Sequence, residues 1–258
     1  MLRFFRQIRQ RLLTENKFSK YLLYAIGEIA LVIIGILLAL QINEWNSQRT
    51  EARMLRNDLE YVLEDLKEDK AALFTLRDQR KTGVQGCAYF LDRYMRGEKI
   101  AYNKGNQETN RLKEVLYERK YKRNQNGFEK VLSSKRFQSA EFKTLREKMD
   151  AYVNEIDRLI YDEERLNYFI EENELKMFAE GTHTIIYEYL RVSKGYANKE
   201  VAVSNFDWQE LLKGKSALKS ILLRYEDDVH QFLVPQYNKT AAVGNELATM
   251  IETYLNKH

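Results

Sequence analysis

From Tyr21 to Ile42 only Glu28 and Gln41 interrupt an apolar run. About 22 residues at about 1.5 Å each reach the roughly 30 Å of a bilayer's hydrocarbon core. The pattern predicts a membrane-spanning helix over residues 21–43. A cleaved signal peptide would have an apolar core of about 7–15 residues ending in a small-x-small site, and Leu38-Ala39-Leu40-Gln41 offers none. Arg3, Arg6, Arg9, Arg11, Lys17 and Lys20 precede the run against the single Glu15, whereas Glu44, Arg49, Glu51 and Arg53 mix both signs after it. This bias predicts a cytoplasmic N-terminus and an exported, periplasmic segment 44–258. Within the cytoplasmic segment 1–20, Leu2, Phe5, Ile8 and Leu12 recur at helical spacing among arginines, the pattern of an amphipathic helix lying on the membrane surface.

The exported segment reads as helix almost throughout. Ala52, Leu55, Leu59, Val62, Leu66, Leu73 and Leu76 follow steps of three and four, with Asp69 at the one polar seam position, and no glycine or proline appears before Gly83. That is a coiled-coil-like heptad seam, expected to end near Gly83. The steps return from Phe142 through Leu145, Met149, Tyr152, Ile156, Leu159, Glu163, Leu166, Ile170, Asn173 and Met177, with Ser139 as the expected N-cap and Gly181 as the stop. Two helices of similar length, each with a bare apolar stripe, are most simply paired antiparallel. Residues 83–138 would then form a glycine-containing cap with short helices at 87–96, 108–121 and 127–134. Residues 182–192 fit helix or strand. A last element over 216–256 carries Leu218, Leu222, Tyr225, Val229 and Phe232, then Val243, Leu247, Met250 and Tyr254, with a kink or break expected at Pro235. The fold class is all-α: a transmembrane helix followed by an elongated helical bundle.

Charge changes this picture little. The chain holds 42 Lys and Arg against 38 Asp and Glu, and the excess lies in the first twenty residues, so the exported segment is balanced. That removes the basic field nucleic-acid binding requires, and no nucleic-acid partner is expected. The one cysteine, Cys87, cannot form an intrachain disulfide; it reads as a small buried apolar residue.

Residues 15–49, with Phe18-Ser19-Lys20-Tyr21, Tyr24-Ala25-Ile26-Gly27-Glu28, Ala39-Leu40-Gln41-Ile42 and Trp45-Asn46, resemble the N-terminal signature of an uncharacterised family of single-span membrane proteins from Gram-negative bacteria, known only as a domain of unknown function. Gly127-Phe128-Glu129 with Leu132-Ser133-Ser134 looks like a second landmark, although Lys135 stands where a glycine is expected. The resemblance implies a membrane protein with an exported helical domain; together with the charge bias it places the anchor in the bacterial inner membrane as an expectation. It brings no activity or catalytic residue.

Two groups of residues are candidate sites. Glu28 lies inside the apolar run, where an acid costs up to about 2.5–3.5 kcal/mol and ordinarily faces protein or water. On a helix Gly35 and Ala39 share its face, so the three form a candidate contact surface between membrane helices. Snorkelling of Glu28 to the headgroups, or a proton-linked role, are the other readings. The basic cluster Arg119, Lys120, Lys122 and Arg123 is a candidate anionic surface, or else a solvated helix end. No phosphate loop, HExxH, nucleophile elbow or paired CxxC occurs, and Asp227 with His230 is too little for a metal site, so no catalytic, cofactor or metal residue is expected. The chain reads as a non-enzymatic, membrane-anchored scaffold or interaction protein whose partners are the lipid bilayer and itself or another membrane protein. A ligand-sensing bundle and a proton-linked stator-type subunit are the alternatives.

Overall fold

The computed structural model describes residues 18–98, 111–124, 126–193 and 208–257 of the 258. The surface helix expected in residues 1–14 lies outside them. Described residues are helical almost everywhere and include no strand. The chain divides into Met1–Asn57 and Asp58–His258.

The first helix, α1, runs Phe18–Met95, and so does not stop at Gly83. Its seam continues past Leu73 through Arg80, Val84, Cys87 and Phe90, all buried. Gly83 and Gly86 are packing positions and not breaks. A Cβ on Gly83 would lie 2.7 Å from the ring of Tyr225, and one on Gly86 would lie 3.0 Å from Arg111. The helix expected at 87–96 is therefore the end of α1.

Beyond α1 the described chain resumes at α2 (Leu112–Leu116), shorter than the helix expected over 108–121, and then has no regular structure over 118–124. α3 (Asn126–Ser133) matches its expected position, and two 3-10 turns, Arg136–Gln138 and Ala140–Phe142, lead into α4 (Lys143–Ala179). Ser139 does not cap α4; it sits between the two turns and makes no capping bond with its side chain. Every seam residue expected in α4, from Leu145 to Met177 and including Glu163 and Asn173, is buried. Gly181, with φ of 75°, ends that run in the left-handed region open to glycine. α5 (Thr182–Ser193) settles the ambiguous stretch as helix. The chain ends in α6 (Trp208–Leu211), α7 (Ala217–Asp228), a π-helical turn (Val229–Leu233) and α8 (Val234–Lys257).

The helices do not pair as an antiparallel hairpin. Arg119 is hydrogen-bonded to Gln79, Asn124 to Asp69, and Gly127 to Asp65, so residues 119–124 and 126–127 run back along α1 as a strap. α4 then starts again from the same end and runs parallel to α1: Tyr152 meets Asp69, and Asn167 meets Arg80. The described parts of 83–138 thus form no terminal cap: 83–95 continue α1, and 119–124 and 127 lie along it. α7 and α8 supply the antiparallel member, with Gln236 on Glu155, Lys148 on Glu246, and Phe142 against Tyr254.

Pro235 is the second residue of α8, and the π turn precedes it. Proline lacks an N–H and crowds the carbonyl one turn back, which a wider turn relieves. The turn also shifts the register of the stripe: Leu233 is buried and Phe232 is largely exposed. In α8 the inward line is Tyr237, Thr240, Ala241, Gly244, Leu247, Ile251 and Leu255, and of the expected second stripe only Leu247 is fully buried. Small residues face inward because α4 fills the space; a Cβ on Gly244 would lie 2.9 Å from the ring of Tyr152.

Candidate functional site

Two parts of α1 carry the candidate chemistry. Over Ile26–Trp45 every large apolar side chain is at least half exposed, from Ile33 at 50% to Leu31 at 68%. The helix is long and apolar enough to cross a membrane, with a mean hydropathy of 2.4 over its most apolar 18 residues, none of them buried. Glu28, Gly35 and Ala39 all lie in this exposed stretch, and a Cβ added at Gly35 would meet nothing within 4 Å. Bare hydrocarbon of this extent is unfavourable in water.

In the second unit the strap is held by carboxylates. The N–H of Tyr121 donates to Glu163 at 2.6 Å, that of Asn124 to Asp69 at 3.2 Å, and that of Gly127 to Asp65 at 2.8 Å. The Asn124 amide donates to Glu68 at 2.7 Å, and Lys120 pairs with Glu164. A segment without regular structure must place its backbone donors somewhere, and here the acids of α1 and α4 accept them. Glycine at 127 is required by the close approach, since a Cβ would lie 2.8 Å from the backbone nitrogen of Val62.

Asp69 and Glu163 are buried and anchor two polar clusters. Asp69 also accepts the Tyr152 hydroxyl at 2.9 Å. Glu163 accepts the Tyr237 hydroxyl and lies near Arg80, which donates to the carbonyl of Arg119 at 2.9 Å and to the Asn167 amide oxygen at 3.1 Å. Burial pushes both carboxyls above their ordinary range, although the donors around them favour the charged form. Burial likewise raises Tyr121, Tyr152 and Tyr237. Tyr152 and Tyr237 donate as neutral hydroxyls, whereas the Tyr121 hydroxyl and the Nε and Nη1 of Arg80 are buried without a hydrogen-bond partner among the described residues.

The heptad spacing locates Asp69 and Glu163 by position and misses Arg80, because the last apolar step is Leu76 and a charge stands at the next one. A charged residue at a seam spacing was the available signal. The basic cluster does not form one surface. Arg119 turns inward to Gln79 and Glu114, Lys120 is paired with Glu164, and Arg123 lies over the ring of Phe128, while Lys122 is exposed. Cys87 is free and fully buried. Among the described residues no group of three or more His, Cys, Asp or Glu is placed to hold a metal ion. Comparison with protein-family models, with curated proteins and with solved structures finds no match.

Proposed function

We propose that this chain is a membrane-anchored helical scaffold: a single-span protein of the bacterial inner membrane, its N-terminus cytoplasmic and its helical bundle periplasmic, that works by association and not by catalysis. The observation that carries this reading is the exposed apolar surface of α1 over Ile26–Ile42, interrupted only by Glu28 and Gln41. A lipid bilayer matches its length and removes it from water. Glu28, Gly35 and Ala39 serve as the face through which this helix meets another membrane helix, the same chain or a different protein. An acid beside small residues lets a second helix approach and supplies a polar contact worth about 0.6–2 kcal/mol.

Reporter fusions after Gly181 test the topology. A reporter active only in the periplasm is expected to work there, and one active only in the cytoplasm is expected to fail. The reverse pattern sinks the placement of the bundle.

A further inference from the structure

Just past the apolar run, the charges of α1 are sorted by side. A helix turns by about 100° per residue, which sets Arg49 within about 40° and Arg53 within about 80° of Trp45. Arg56 lies on the same side. Glu44 and Glu51 stand on the other, where Glu44 accepts the Gln48 amide at 2.9 Å and Glu51 the Ser47 hydroxyl at 3.5 Å. From Ile42 to Asn57, therefore, the Trp45 side carries arginines and no acid. Trp45 is 64% exposed, Arg49 and Arg53 are exposed, and neither of these two arginines makes an ion pair among the described residues. Helix side chains lean toward the helix N-terminus. On α1 that is back toward the apolar run, and the guanidinium of Arg49 lies over the Trp45 ring, 5.9 Å from its centroid.

We propose that Trp45, Arg49 and Arg53 form a row that binds the phosphates of anionic lipids in the exported leaflet. Position selects this occupant. The row begins where the apolar run ends, and Arg49 and Arg53 follow Trp45 by about 6 Å and about 12 Å along the axis, against a headgroup layer roughly 5–8 Å deep. The backward lean brings both charged heads toward that layer, with their stems along the helix. An indole is at home at this boundary, and a guanidinium stacked on it keeps its N–H edge open to phosphate oxygens. An acidic protein segment would match the charge, but it gives no reason for an indole at the end of a membrane-length apolar run. The inference rests on the reading of α1 as a membrane span and names the lipid class that the span selects.

The test uses the full chain with Trp208→Phe, so that Trp45 is the tryptophan left to report. The chain is reconstituted in bilayers that mix plain phosphatidylcholine with either phosphatidylglycerol or phosphatidylcholine brominated on the acyl chains, and quenching of Trp45 gives the relative affinity for the two lipids. A preference of at least threefold for phosphatidylglycerol is expected. Arg49→Gln with Arg53→Gln brings it to about onefold with the circular-dichroism melt unchanged, since both side chains are exposed. Lys67→Gln with Lys70→Gln, which removes the same charge farther along α1, leaves it in place. Equal quenching by both lipids in the parent chain keeps the span and overturns the lipid row, leaving an acidic protein segment as its occupant. A preference that survives the arginine pair belongs to the basic residues before the span and overturns it too, as does one lost equally in the lysine pair. Quenching by neither lipid shows that Trp45 does not reach the bilayer, and then the span itself falls and the row with it.

Discussion

Glu163 occupies a seam position of α4 that leucine would fill in the neighbouring turns. There it takes the Tyr121 N–H and the Tyr237 hydroxyl and lies near the charge of Arg80. Glu163→Gln keeps one acceptor oxygen but replaces the other by a donor and removes the charge that strengthens the bonds from the Tyr121 N–H and the Tyr237 hydroxyl, which costs about 1.5–3 kcal/mol. The urea midpoint of the variant is expected to fall accordingly, and a change below about 0.5 kcal/mol would show that the charge of Glu163 does not hold the strap. Asp69 gives a pH signature. Its carboxyl binds a proton more tightly in the folded chain than in the unfolded one, so its contribution is fully present below about pH 4 and is lost as pH rises through the folded value. Asp69→Asn, which keeps an acceptor for Asn124, should therefore gain on the wild type as pH is raised from 4.5 to 7.5. Urea midpoints across that range check the sign, and parallel curves would refute it.

Among the elements, the buried face of α4 was legible in the sequence, though not its N-cap, because an uninterrupted seam buries whatever stands on it, Glu163 and Asn173 included. α8 was less legible for two physical reasons. The π turn adds a residue to the spacing, so the line passes from Val229 to Leu233 and not to Phe232. Tyr152 and Gln236 then fill the space that larger α8 residues would need, which sends Thr240 and Gly244 inward. The direction of α4 could not be read at all, since steps of three and four are the same from either end. Only the strap reveals it. Zero-length carbodiimide coupling followed by mass spectrometry is expected to join Lys120 to Glu164, Lys148 to Glu246 and Lys239 to Glu155. Coupling between residues 44–57 and residues 164–176, which an antiparallel hairpin would bring together, would refute the parallel arrangement.

At the scale of the whole molecule, the apolar run and the helical class were both legible from composition and period, whereas the strap was not. Its donors are backbone N–H groups, and their acceptors stand 42 to 62 residues away, a separation that leaves no local pattern. That separation also governs how the molecule comes into being. A parallel partner cannot be reached by a short turn, so Asp69 waits 83 residues for Tyr152, and the carbonyl of Arg80 waits 145 for Tyr225. Long sequence separations slow folding, because the entropy of closing the loop is lost before the contact forms. While the chain is being made, the seam of α1 emerges first and is covered only as the strap, then α4, and then α7 and α8 follow. For most of its synthesis the protein is a long amphipathic helix with no partner of its own, and its safe arrival depends on what shields that helix in the interval.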